Sequence, residues 1–135
     1  MKVVVSAQRD RMDSLVDPCF GRAPWFLIVD TETGDWEAHD NADNASARGR
    51  AGVRAGDAVT SYGAEAVITV NIGPHALKLL DAAAIRLYRA RRDMHVREAV
   101  EAFDSGDLEL MQTQTVSGRI GVRQSGCTMN QAATV

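Results

Sequence analysis

The chain has 135 residues, 45% of them apolar and 24% charged, with a formal net charge of −3. That length suits one domain with a sizeable buried core, and the acidic balance argues against nucleic acid as the main partner. No apolar run approaches the ~20 residues that span a bilayer, and no signal-peptide pattern precedes the first strand, so a cytoplasmic protein without membrane attachment is expected.

Aromatic residues make up only 5% of the chain, so the core must be built from Val, Ile, Leu and Ala. Residues 2–6 (KVVVS) are a β-branched run of the kind buried on both faces of a sheet. Residues 7–23 are polar and turn-rich, too long for a tight hairpin, and read as a functional loop. A second strand over residues 24–30 turns at Gly34 into a third, Trp36 to His39. That strand alternates, Trp36 and Ala38 against Glu37 and His39, as a half-exposed edge does.

Residues 40–47 read as a loop in which Asn44 or Ser46 caps a helix running from Ala47 to about Tyr62. Gly49, Gly52 and Gly56 weaken that helix, and their spacing suggests close packing on a sheet. A buried strand over residues 65–70 follows. Gly73 then lets the chain turn, and Pro74 opens a helix to Ala83 with Leu77, Leu80 and Ala84 inward. Ile85 to Tyr88 form the fifth strand, and His95 to Phe103 a third helix ended by Gly106. The predicted order is β-β-β-α-β-α-β-α: an α/β fold with a mixed five-stranded sheet and helices on both faces. Residues 1–108 form the domain, and residues 109–135 lose periodicity and read as a polar, flexible tail, with short structure at most over 110–116.

In such a sheet ligands sit beyond the carboxyl ends of the parallel strands, so the loops after strands one, four and five should converge. Two of them carry the chemistry. In Asp17-Pro18-Cys19-Phe20-Gly21-Arg22-Ala23, the proline and glycine constrain a loop that displays a thiol and a guanidinium. In Asn71-Ile72-Gly73-Pro74-His75-Ala76, a strand ends against a helix start whose N–H groups and dipole favour an anion. Cys19 is either a soft metal ligand, its thiolate favoured by Arg22, or a buried small hydrophobe. His75 is either a neutral imidazole ligand or an exposed brace, and His95 opens the third helix beside an arginine-rich loop. His39 faces solvent, and Cys127 is a ligand only if the tail folds back.

The basic residues are arginines except Lys2 and Lys78, grouped at Arg48, Arg50 and Arg54 and from Arg86 to Arg97. They suit either oxyanion binding or a salt-bridged surface. A structural disulfide between Cys19 and Cys127 is not expected in a reducing compartment, and their spacing matches no zinc pattern. No G-x-S-x-G elbow, G-x-G-x-x-G or Walker pattern occurs, and strands one and four do not end in the carboxylates a metal-dependent nuclease needs, so catalysis is not expected.

The two motif loops resemble those of the dinitrogenase iron–molybdenum cofactor biosynthesis family, which includes nitrogenase cofactor carriers and molybdenum–copper proteins. The resemblance extends through Met1-Lys2-Val3-Val4-Val5-Ser6-Ala7, the strand Phe26 to Asp30 with its turn to Gly34, the segment Arg48-Gly49-Arg50-Ala51-Gly52 and Val96-Arg97-Glu98-Ala99-Val100. Cys19, where relatives commonly carry Arg or His, and Val70, where a small residue is usual, depart from the pattern. The resemblance implies a ribonuclease-H-like three-layer fold and a non-catalytic carrier of an anionic metal–sulfur cluster, iron–molybdenum–sulfur or molybdenum–copper–sulfide in type. Cys19, Phe20, Gly21, Arg22, Asn71, Gly73, His75 and His95 would form the binding site, Cys19 and His75 ligating metal, with proteins of cluster assembly as partners. A regulatory or interaction module of the same fold, binding no cluster, is the alternative.

Overall fold

The computed structural model describes residues 1–45 and 51–111. Six strands and four helices follow in the order β1 (Lys2–Ala7), β2 (Trp25–Asp30), β3 (Trp36–Asp40), α1 (Ala42–Ala45), α2 (Ala51–Ser61), β4 (Ala66–Thr69), α3 (Pro74–Ala82), β5 (Arg86–Arg89), α4 (Val96–Asp104) and β6 (Glu109–Leu110). They make one mixed sheet, ordered β3-β2-β1-β4-β5-β6. β1 pairs antiparallel with β2 (Val4 opposite Ile28) and parallel with β4 (Val4 opposite Val67), which pairs parallel with β5.

The centre of the sheet is dictated by burial on both faces. Val3, Val4 and Val5 are fully buried, as are Ala66, Val67 and Ile68. Alternate residues serve separate cores. Val3, Val5, Leu27 and Ile68 pack against Val96, Ala99 and Val100 of α4. Val4, Phe26, Val67 and Leu87 pack against Ala55 and Val59 of α2 and Leu77 and Leu80 of α3. Each fully buried Val, Leu or Ile contributes roughly 1.5–3 kcal/mol. Helices on both faces and the edge position of β3 agree with expectation.

Four details differ. The sheet has a sixth strand: β6 pairs with β5, the Met111 N–H donates to the Leu87 carbonyl at 2.8 Å, and Met111 is buried. Residues 109 and 110 thus belong to the sheet. Secondly, residues 42–45 form α1, so Asn44 lies inside a helix rather than capping one. Thirdly, α3 stops at Ala82. Finally, Ala84 is exposed with φ 61°, not inward. The expected cap at Ser46, the helix start at Ala47, the arginines at 48 and 50, and the tail from residue 112, including Cys127, lie outside the described residues.

Ala84 closes α3 as the left-handed residue of a Schellman motif. The Ile85 N–H reaches the Leu80 carbonyl at 2.9 Å and the Ala84 N–H that of Asp81 at 3.0 Å. A Cβ makes that conformation costly, and glycine usually occupies it. Ala84→Gly is therefore expected to stabilise the protein by about 1 kcal/mol, read as a rise of a few degrees in thermal midpoint. An unchanged or lower midpoint would contradict this account of the cap.

Candidate functional site

After β1 the chain crosses the carboxyl ends of three strands as a strap, tied to each by backbone hydrogen bonds. Leu15 bridges His95, and Val16 N–H donates to the Met94 carbonyl at 2.8 Å, tying the strap to the loop after β5. Asp17 N–H donates to the Ser6 carbonyl at 2.9 Å, at the end of β1. Asn71 N–H donates to the Pro18 carbonyl at 2.7 Å and Phe20 N–H to the Asn71 carbonyl at 3.0 Å, a parallel bridge between Cys19 and Asn71 beyond β4. The two motif loops are thus bonded to each other, as their positions at one end of the sheet required.

Buried hydroxyls fix the strap from below. Ser6 Oγ lies 2.7 Å from the Asp17 carbonyl and 2.8 Å from Thr69 Oγ1, and Ser6 and Thr69 are fully buried. From above, Asp17 Oδ1 accepts the Cys19 N–H at 2.9 Å, an Asx turn that sets the angle of Pro18 and Cys19. Burial pushes the Asp17 carboxyl up from its ordinary pKa, and the Cys19 N–H partly offsets this.

The remaining residues separate into contributors and anchors. Phe20 is 1% exposed and its ring packs on Phe26 with centroids 5.2 Å apart. Its side chain anchors the loop rather than facing a ligand. Gly21 lies against the first described turn of α2, where an added Cβ would stand 2.7 Å from Gly52 N. Gly52 in turn leaves only 3.2 Å between such a Cβ and Ala76 of α3. Gly21, α2 and the start of α3 are therefore stacked in immediate contact. The half-buried Arg22 follows Gly21. Gly73 caps α3 without a side-chain hydrogen bond, so the first N–H groups of the helix are left for an outside acceptor, beside the exposed His75.

His95 is not gathered with this group. It caps α4 on the opposite face, where its N–H and Nδ1 both meet Glu98 Oε1 at 2.9 Å. His39, expected in solvent, stacks on Tyr62 with centroids 4.4 Å apart. Arg89 donates to the Val70 carbonyl at 3.3 Å and lies 3.7 Å from Glu109, while Arg91 lies 3.7 Å from Asp107. These two arginines brace the sheet. Arg92 instead joins Gln8, Pro18 and Val70 in lining a cleft of about 100 Å³ beside the strap. Gln8 is a site neighbour that the motifs do not include, and Asp17, the first residue of its motif, acts as the Asx-turn acceptor for Cys19.

Cys19 is 8% exposed and disulfide-bonded, contrary to the expectation of a reduced thiol. In that state it offers no thiolate, so ligation through Cys19 requires reduction. Among the described residues no group of three or more His, Cys, Asp or Glu is arranged to hold a metal ion. No helix among them is long and apolar enough to cross a membrane.

Gly21→Ala should cost about 1–3 kcal/mol, because the new methyl meets backbone of α2 that cannot swing aside; a thermal midpoint equal to wild type would refute the contact. Asp17→Asn tests the buried carboxylate. An acid whose folded pKa is raised loses stability as pH climbs from its unfolded pKa through the raised one. Asn keeps the acceptor for Cys19 N–H without the charge. The variant should therefore melt higher than wild type at neutral pH and lose that advantage below the ordinary aspartate range; a constant difference across pH would refute the assignment.

The chain is similar to known proteins along most of its length. The family model described as dinitrogenase iron-molybdenum cofactor matches residues 1–106. An uncharacterized protein of Methanocaldococcus jannaschii is 30% identical over 111 residues, covering 81% of this chain and 90% of its own. The apo form of the orange protein from Desulfovibrio gigas superposes with a TM-score of 0.79 at 34% identity, covering 81% of this chain and 91% of the other. A putative NifB protein from Thermotoga gives 0.72 at 34% identity, covering 82% and 93%. Matched over most of its length by a family model and by relatives of similar size, the chain belongs to the dinitrogenase iron–molybdenum cofactor family.

Proposed function

We propose that this protein is a non-catalytic carrier of an anionic metal–sulfur cluster, of iron–molybdenum–sulfur or molybdenum–copper–sulfide type. The observation that carries this reading is the bonded junction of strap and β4, where Cys19 pairs with Asn71 beside the uncapped start of α3 and its His75. Membership of a cofactor family and likeness to the orange protein support it. The junction supplies backbone N–H groups, one arginine and at most two soft or borderline ligands. A cluster bound there is held chiefly by electrostatics and hydrogen bonds, each charge-assisted contact contributing about 1.5–3 kcal/mol. Such a set holds a cargo firmly while leaving its own inorganic bonds intact, as a carrier must. This function needs Cys19 reduced, which fits a cytoplasmic setting, with proteins of cluster assembly supplying and receiving the cargo.

The disulfide at Cys19 favours a second reading, an interaction or regulatory module that binds no cluster. Incubating the reduced protein with molybdate, sulfide and copper, or with an iron–molybdenum cluster precursor, separates the two. A carrier develops visible absorption and retains metal through gel filtration, less so as salt is raised. Reduced Cys19→Ser should lose or blue-shift the absorption while keeping its fold. A colourless protein under every condition would establish the module instead.

A further inference from the structure

We propose that β3 is an association edge for a second copy of this chain, pairing antiparallel about Ala38. The hydrogen-bond pattern of the hairpin identifies the groups available. The Asp30 N–H donates to the Asp35 carbonyl and the Asn41 N–H to the Pro24 carbonyl, both at 2.8 Å. With Ile28 opposite Glu37 and Phe26 opposite His39, alternation turns the N–H and C=O of Glu37 and His39 toward β2. Those of Trp36, Ala38 and Asp40 point outward along the edge, and no hydrogen bond from that edge exists among the described residues.

Edge strands are ordinarily guarded by charged side chains, lysine above all, or by proline, a bulge, extreme shortness or a covering segment. β3 has five residues in unbroken register, WEAHD, with neither Lys nor Pro. Among the described residues the opposite edge, β6, has two residues and offers no comparable template.

What selects a second copy over any other extended chain is self-complementarity. Centred on Ala38, the pairing sets Glu37 against the partner's His39 and His39 against the partner's Glu37. These are non-hydrogen-bonded positions, where side chains approach most closely. Glu37 and His39 already lie 3.5 Å apart within one strand, so the four groups alternate in sign or in donor and acceptor around the axis. On the other face the two Ala38 side chains meet, leaving room for Trp36, 44% exposed, to lie across the seam. About six backbone hydrogen bonds would form, from Trp36, Ala38 and Asp40 of each copy. A seam this short buries less than ~1,000 Å², so the dimer is a weak, concentration-dependent one.

Sedimentation equilibrium of the full chain, under reductant to remove intermolecular disulfides, should show a monomer–dimer equilibrium. Ala38→Pro deletes only an outward N–H, which edge positions tolerate, and should give a folded monomer by circular dichroism. Should that variant unfold, the charges decide. Glu37→Arg should raise the dimer Kd about tenfold or more, and Glu37→Arg with His39→Asp should restore association. A wild-type protein that remains monomeric at millimolar concentration, or a dimer indifferent to Glu37→Arg, overturns the proposal.

Discussion

Two backbone hydrogen bonds, from Asn71 to Pro18 and from Phe20 to Asn71, decide the shape of the molecule beyond the carboxyl ends of its parallel strands. They extend the parallel pairing of the sheet by one bridge beyond β4, using a segment that is not itself a strand. Everything proposed to meet a ligand, from Cys19 to Arg22 and from Asn71 to His75, is positioned from that bridge. A net bond of this kind contributes only ~1 kcal/mol, but breaking one inside a packed region leaves a buried group unsatisfied at greater cost. The supports around it have the same character: Ser6 and Thr69 below, the Asp17 carboxylate above, Gly21 against Gly52 at the side. Most of them are neutral, so the scaffold does not depend on ion pairs.

Arginine is divided accordingly. Arg89 and Arg91 reach carboxylates or carbonyls along β5 and its following turn, and their charge is spent on the sheet edge. Arg92, exposed, lines the cleft beside the strap, and Arg22, half-buried, lies at the far end of the strap. A basic composition summed over the chain would not reveal this, because the total is acidic. Placement rather than count distinguishes these arginines.

The features legible in the sequence were those written in burial and in chain punctuation. Val3 to Val5 and Ala66 to Ile68 could satisfy themselves only in the middle of a two-sided sheet, and the order of strands and helices then brought the two loops to one end. What escaped was structure with little local signal. β6 is the dipeptide Glu109-Leu110, held by pairing with β5 and by the burial of Met111. Ala84 adopts a conformation its side chain disfavours because the Schellman bonds and the packing of Leu80 and Ile85 outweigh the cost. Phe20 belongs to a loop motif but answers to the core, since a phenyl ring next to Phe26 gains more from burial than from any ligand. Asp17 opens the motif loop, but its hydrogen bond to the Cys19 N–H depends on the turn that the folded strap imposes.

α3 and α4 both begin at the ligand end of the sheet, and they differ in how their first turns are satisfied. α4 is closed by its own residues: Glu98 folds back on the His95 N–H and imidazole, and that contact holds its carboxyl below the usual carboxylate range. A negative group already occupies the place where an anion would sit, so a second would be repelled. α3 has no counterpart. Gly73 provides no side chain, Pro74 no N–H, and the first turn holds no acid. Two helices of equal length on the same edge of the sheet are thus electrostatically unequal, one neutralised and one open. The open one is the helix bonded through Asn71 to the strap that carries Cys19 and Arg22. That coincidence of a helix start without a side-chain cap and the constrained loop of Cys19 is what distinguishes this corner of the fold from the rest of its described surface.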